Sequence, residues 1–234
     1  GAALADSPSD AFRKALDCDS TSAFGGIVAF NNNVDLATAE LLSNIFLECV
    51  VAPSFDKEAL EILSNKKNLR LLILKKENIK LDNKATFKSI FGGILEQDND
   101  NEIDQQNEWS CVTQTKPNTE EFNDLIFSWK ICKHVKSNAI VIAKNQKTIG
   151  IGAGQMNRVG AAKIALDAAK EYSNDAVLAS DGFFPFSDSV EIANNYGIKS
   201  IIQPGGSVRD QESIDMCNKL GISMIFTNKR HFLH

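Results

Sequence analysis

Apolar positions along the chain switch repeatedly between a period of about 3.6 residues and a period of about 2, the signatures of helix and strand. Ser7-Pro8-Ser9-Asp10 supplies an N-cap, a proline at the first helical position and an acid two residues later, predicting a helix through Leu16 with Ala11, Phe12, Ala15 and Leu16 on its apolar face. Gly26 to Phe30 then reads as a strand, Asp35 to Ile45 as a helix, Cys49 to Ala52 as a strand, Asp56 to Leu63 as a helix and Leu69 to Leu74 as a strand. Between Leu95 and Trp109 the composition turns to Asp, Asn, Gln and Glu, which marks a solvated loop or a boundary between halves.

The pattern restarts at Asn118, a cap for a helix whose Phe122, Leu125, Ile126 and Trp129 share one face. Ala139 to Ala143 and Thr148 to Ile151 predict a hairpin through Lys144-Asn145-Gln146-Lys147, followed by a long helix to about Tyr172. Strand, helix, strand, helix, strand complete the chain at Ala176 to Ala179, Ser189 to Asn195, Ser200 to Gln203, Asp210 to Leu220 and Ile222 to Phe226, with a capping-box spacing at Ser207 to Asp210. This alternation predicts sheets with helices on their faces, an α/β fold.

An internal echo predicts two copies of one α/β unit. Ser22-Ala23-Phe24-Gly25-Gly26, then Val34-Asp35 entering a helix, parallels Ser180-Asp181-Gly182-Phe183-Phe184, then Asp188-Ser189-Val190. The next strand ends in proline both times, at Pro53 and Pro204.

The 234 residues, 43% apolar and 24% charged, can bury a real core and exclude a disordered or disulfide-scaffold class. A net charge of -5 argues against broad nucleic-acid or anionic-membrane binding, so an anionic ligand must meet local cations. Five cysteines without a CxxC or a metal-ligand spacing read as reduced packing thiols in a cytosolic setting. No apolar stretch approaches the roughly 18 residues of a membrane span.

Five stretches could carry chemistry. Gly150-Ile151-Gly152-Ala153-Gly154, with Arg158 opening the next helix, suits either a ligand loop or a merely tight turn; it lacks the spacing of a dinucleotide fingerprint. Phe183-Phe184-Pro185-Phe186 follows a strand at the end where open α/β sheets bind ligands, with Asp181 and Asp188 as polar handles, and Pro204-Gly205-Gly206-Ser207 takes the matching place after the next strand. Lys133-His134 is an acid/base candidate or an ordinary helix C-terminus. The basic tail Lys229-Arg230-His231-Phe232-Leu233-His234 reads in isolation as frayed.

Taken together, Ser22 to Gly26, Lys136-Ser137-Asn138, Ile149 to Arg158, Ser180 to Phe186, Gln203 to Ser207 and Arg230 to His234 closely resemble the transformylase region of a family of bifunctional purine biosynthesis enzymes. That family joins phosphoribosylaminoimidazolecarboxamide (AICAR) formyltransferase to inosine monophosphate cyclohydrolase. The resemblance implies two cytidine-deaminase-like α/β/α units, with residues 1–107 the remainder of a first, N-terminally truncated unit and 108–234 the second, and no cyclohydrolase domain. It implies formyl transfer from 10-formyltetrahydrofolate to the 5-amino group of AICAR, with no catalytic metal and with a structural potassium as a candidate. By motif, Gly25, Glu48, Asn138, Arg158, Phe183 and Arg230 should contact the ribotide, Val159, Asp188, Ser207 and Val208 the folate, and His234 should sit near the active site. The family's catalytic Lys-His pair belongs to a KHxNPCG motif whose glycine matches Gly1, so Lys133-His134 is its structural echo and the chain alone is expected to be inactive. A cytoplasmic homodimer with sites built across the interface is the expected assembly. A non-catalytic ligand-binding or assembly module on the same fold is the rival expectation, and a nucleotide-dependent oxidoreductase a distant third.

Overall fold

The computed structural model describes residues 1–75, 77, 79, 85–101 and 104–233. Two sheets carry the architecture. The first is parallel, in the order β1-β2-β3: β1 (Gly26–Ala29), β2 (Leu47–Ala52) and β3 (Arg70–Ile73), with helices α1 (Pro8–Leu16), α2 (Leu36–Ser43) and α3 (Lys57–Ser64) packed together over one face. Phe12, Ala39, Leu42, Val50, Ala59 and Leu63 form its core. On the opposite face Ile27 is 72% exposed.

The second sheet has six strands in the order β6-β11-β10-β9-β7-β8. These are β6 (Ser110–Cys111), β7 (Ile140–Lys144), β8 (Lys147–Gly152), β9 (Val177–Ser180), β10 (Ser200–Gln203) and β11 (Ser223–Phe226). Strands β9, β10 and β11 are parallel, and β7 runs antiparallel to β9. Because side chains alternate across a strand, Val141 and Ala143 face helix α4 (Thr119–Cys132), while Ile140 and Ile142 face the layer of α5 (Arg158–Ala169), α6 (Asp188–Asn195) and α7 (Asp210–Leu220). Both faces are covered, which is why these strands read as continuous apolar runs.

The order helix, strand, helix, strand, helix, strand with three parallel strands thus occurs twice, as α1-β1-α2-β2-α3-β3 and α5-β9-α6-β10-α7-β11. One sequence-level correspondence is corrected by this topology. Ser22 to Gly26 leads into β1, whereas Ser180 to Phe186 leaves β9, so those two runs are not equivalent. The helix entries at Asp35 and Asp188 and the prolines after β2 and β10 do correspond. The segment before α1 pairs with the β8 edge of the second sheet, where the Thr148 amide donates to the Ala2 carbonyl and the Leu4 amide to the Gln146 carbonyl, each at 2.9 Å.

Local chemistry explains most boundaries. Ser7 accepts from the Asp10 amide at the start of α1, and Asn118 and Glu121 form a complete capping box on α4. The long helix α5 stops at Ala169, before Tyr172, where Lys170 takes a positive φ of 50° and a single 3-10 turn follows. The capping box expected at Ser207 to Asp210 does not form: Ser207 Oγ accepts from the Arg209 amide, while Asp210 accepts from the Gly206 amide. A hairpin of β4 (Thr86–Ile90) and β5 (Gly93–Gln97) was not legible in the sequence, because both strands mix polar and apolar residues without alternation. Every residue of it is exposed.

The β7–β8 turn depends on Asp124 of α4, which is 7% exposed. Its carboxylate accepts from the amides of Asn145 and Gln146 at 2.8 and 2.6 Å, and both residues hold positive φ angles, as the favoured two-residue hairpin turn demands. Asp124→Ala should therefore cost about 1.5 to 3 kcal/mol of stability, read as a shift in the urea midpoint with an unchanged slope. A loss below about 0.5 kcal/mol would show that water replaces the carboxylate.

Candidate functional site

The antiparallel register places Ile140 of β7 opposite Ser180 of β9, so the residues before β7 lie beside those after β9. The chain leaving β8 returns to the same place, where the Gly154 amide donates to the Lys136 carbonyl at 2.7 Å and Asn138 Nδ2 to the Gln155 carbonyl at 2.8 Å. Three segments and the C-terminal tail meet around Asp181, which is fully buried. Arg158, only 7% exposed, sends one guanidinium nitrogen to Asp181 and, at 2.9 Å, to Ser180 Oγ; its other terminal nitrogen reaches Asn138 Oδ1 at 2.9 Å. Ser137 Oγ donates to the second Asp181 oxygen at 2.5 Å.

The tail is not frayed. The His231 amide donates to the Asp181 carbonyl at 3.0 Å, the Ser137 amide to the Leu233 carbonyl at 2.9 Å, and the Leu233 amide to Ser137 Oγ at 3.1 Å. Gly182 is required here, since a Cβ would lie 2.4 Å from an Arg158 nitrogen and 2.8 Å from the Phe232 ring. His234 lies outside the described residues.

Beside this cluster is a cleft of 220 Å³ lined by Phe183, Pro204, Gly205, Gly206, Asn228 and Arg230. Gln203 shapes its floor by accepting from the Gly205 amide at 3.1 Å. Gly205 holds a φ of +70° with the Phe226 ring against it, a place no side chain can share. Arg230 is exposed at the rim, 5.6 Å from the centre of the Phe232 ring. Ser207 and the fully exposed Val208 follow Gly206 in the chain, and Arg209 covers Phe186 at 4.8 Å. Sequence reasoning named Asn138, Arg158, Phe183 and Arg230 here but gave no site role to Ser137, Ser180, Gly182, Gln203 or Asn228. For Ser180 and Gln203 the available signal was a polar residue ending an otherwise apolar strand.

The remaining expected residues lie elsewhere. Val159 and Asp188 open α5 and α6, where Asp188 accepts from the neighbouring Ser189 amide at 2.7 Å. Glu48 lies in β2 and Gly25 just before β1; Glu48 pairs with Arg70 at 2.5 Å, and the Gly25 amide donates to the Phe46 carbonyl at 2.8 Å. The glycine run resolves into a turn at Gly154, whose φ is +65°, and two packing glycines in β8. A Cβ on Gly150 or Gly152 would lie 2.0 Å from the Ala165 or Ala161 carbonyl oxygen, so these glycines let β8 pack directly on α5. Lys133 caps α4 and pairs with Asp100 at 3.1 Å, and His134 is exposed.

Residues 1–168 match the family described as AICARFT/IMPCHase bienzyme. The chain belongs to this family. Proteins named "Bifunctional purine biosynthesis protein PurH" from Prochlorococcus marinus strains MIT 9515, AS9601 and MIT 9211 are 66%, 68% and 60% identical to it. Each alignment covers all of this chain and 45% of the relative, so the chain spans about half the length of the curated relatives it matches. The AICARFT/IMPCHase match includes Asn138 and Arg158, while Phe183 and Arg230 fall in the part that the PurH alignments alone extend over. The five described cysteines are free thiols, and no helix among the described residues is long and apolar enough to cross a membrane.

Removing one member of a buried ion pair strands the other, so Asp181→Ala should lower stability by about 3 to 5 kcal/mol. Gly182→Ala should also destabilise by displacing Arg158 or Phe232. Denaturant melts of both variants test this, and a native-like midpoint for Asp181→Ala would show that Arg158 finds another partner.

Proposed function

We propose that the chain supplies the binding half of an AICAR formyltransferase, with 10-formyltetrahydrofolate as one-carbon donor, and that it is not active by itself. What carries the reading is the convergence of Asn138, Arg158 and the Arg230 tail at the carboxyl end of β9, beside the Phe183 cleft. In the reaction the 5-amino nitrogen attacks the formyl carbon, the bond from that carbon to N10 of the folate breaks, and the amine proton must leave. The amine is a weak nucleophile because the ring and carboxamide withdraw its electrons, so orientation and proton removal dominate the barrier.

Each residue has a definite share in this reading. Arg230 meets the phosphate at the open rim, and Phe183 packs on the imidazole. Asn138 turns its remaining amide hydrogen and lone pair to the carboxamide, held in place by Arg158 and Gln155. Arg158 is fixed by Asp181 and acts through Asn138 more than as a phosphate clamp. Ser207, Val208, Val159 and Asp188 face the folate. The reacting lysine and histidine come from a KHxNPCG segment, not from Lys133-His134. Among the described residues no group of three or more His, Cys, Asp or Glu side chains is disposed to hold a metal ion, and potassium is assigned no residues and no step.

The same reading assigns residues 1–107 to a truncated cytidine-deaminase-like unit and 108–234 to a second. Supporting it, β9 is flanked by antiparallel β7, whereas among the described residues the corresponding side of β1 has no strand and opens on a cleft of 480 Å³ between β1, α1 and residues 1–4. A cytoplasmic homodimer belongs to the reading as well. Gly25 and Glu48 lie at the first sheet, away from the other ribotide residues, and a solitary two-stranded hairpin exposing Phe87, Phe91, Ile94 and Leu95 needs something to pack on. The close packing of Gly150 and Gly152 on α5 counts against a dinucleotide loop and hence against an oxidoreductase.

Calorimetry with AICAR should show binding that weakens about tenfold or more in Asn138→Ala, the loss expected for one or two hydrogen bonds. Formyl transfer should appear only when the upstream segment is present. Turnover by the isolated chain, abolished by Asn138→Ala, would contradict the claim of inactivity; dinucleotide binding without AICAR binding would overturn the reading in favour of an oxidoreductase.

A further inference from the structure

The C-terminal tail bears Arg230 but has no helix or strand to hold it. Hydrogen bonds to Asp181 and Ser137 and the Phe232 ring beside Gly182 tie it to the site, and such exposed, irregular segments open easily. What fixes it more firmly is one side chain. His231 is 2% exposed, and its ring lies 4.5 Å from that of the fully buried Trp129 on α4. Both ring nitrogens face acids from the polar stretch between the two sheets. Nδ1 is 2.5 Å from Asp100 Oδ2, and Nε2, which is buried without a hydrogen-bond partner, is 3.5 Å from Asp104 Oδ1. Lys133, at the end of α4, holds the other Asp100 oxygen at 3.1 Å.

The geometry points to His231 as a positioning residue: clasped by Asp100 and Asp104 against Trp129, it holds the C-terminal tail on Asp181 and Ser137 and so sets Arg230 at the mouth of the Phe183 cleft. The acidic stretch, which the sequence presents as a solvated spacer, is in this view part of the site's scaffold. Burial pushes the Asp100 carboxyl up, but hydrogen bonds from His231 and Lys133 and their charges outweigh it and hold the group below the usual carboxylate range. The carboxylate is thus bound in its charged form. A second strand of the same clasp runs from Gln97 at the end of β5, whose side-chain amide donates to the Phe232 carbonyl at 3.2 Å. The tail is therefore held by Asp181 and Ser137 on one side and by Gln97, Asp100 and Asp104 on the other.

The consequence for ligand binding rests on the formyltransferase reading; the clasp itself does not. Two measurements separate them: the rate at which carboxypeptidase removes Phe232, followed by intact mass, and the calorimetric affinity for AICAR. His231→Ala and Asp100→Asn should each speed trimming about tenfold and weaken AICAR binding by a similar factor, the equivalent of one charge-assisted hydrogen bond. Asp100→Glu, which keeps the carboxylate, should restore both to within about threefold of the unmutated chain. Asp124→Ala, which loosens the distant β7–β8 turn, should change neither, so loss of stability alone does not mimic the effect. Unchanged trimming in His231→Ala would overturn the clasp. Faster trimming with unchanged affinity would overturn its role in positioning Arg230. If the unmutated chain binds no AICAR, the formyltransferase reading fails, and trimming still decides the clasp.

Discussion

The buried pair of Arg158 and Asp181 is the contact on which the site depends. A carboxylate and a guanidinium removed from water are tolerable only when each is fully paired, and that requirement fixes more than the two residues themselves. It draws Ser180 and Ser137 into hydrogen bonds, holds Asn138 by its oxygen, and requires a glycine at position 182. The Asp181 carbonyl then receives the tail through the His231 amide. Four stretches far apart in sequence are thereby brought to one point.

The same geometry divides two cations that look alike in sequence. Arg158, after the glycine run, and Arg230, in the basic tail, are both cations of an acidic chain, and either could serve a phosphate. Burial separates them: one is neutralised by Asp181 inside the sheet, while the other stands at the rim of the cleft. In the proposed reading the first organises the site, and the second meets an anion arriving from solvent.

Much of the fold was legible because it is local. The Ser7 cap with Pro8, the capping box of Asn118 and Glu121, and the apolar strands between covered faces all carry their signal within a few residues. What was not legible depends on contacts distant in sequence. Gly150 and Gly152 resemble a ligand loop until α5 is seen to lie against them, and the echo of Ser22 to Gly26 with Ser180 to Phe186 fails because one precedes its strand and the other follows it. The tail looked frayed in isolation because its anchors, Ser137, Asp181 and Asp100, are 50 or more residues away in sequence. Family resemblance placed the tail near the site; it did not supply the contacts that keep it there.

The central claim is that Arg230, and not Arg158, carries the charge recognised by the ligand. Calorimetric affinities for AICAR and for its dephosphorylated riboside, measured on the unmutated chain and on Arg230→Ala, test it directly. The account predicts that the chain prefers the phosphorylated form by about tenfold or more and that Arg230→Ala abolishes this preference. A preference that survives Arg230→Ala would place the phosphate on another cation and contradict the division of roles between the two arginines.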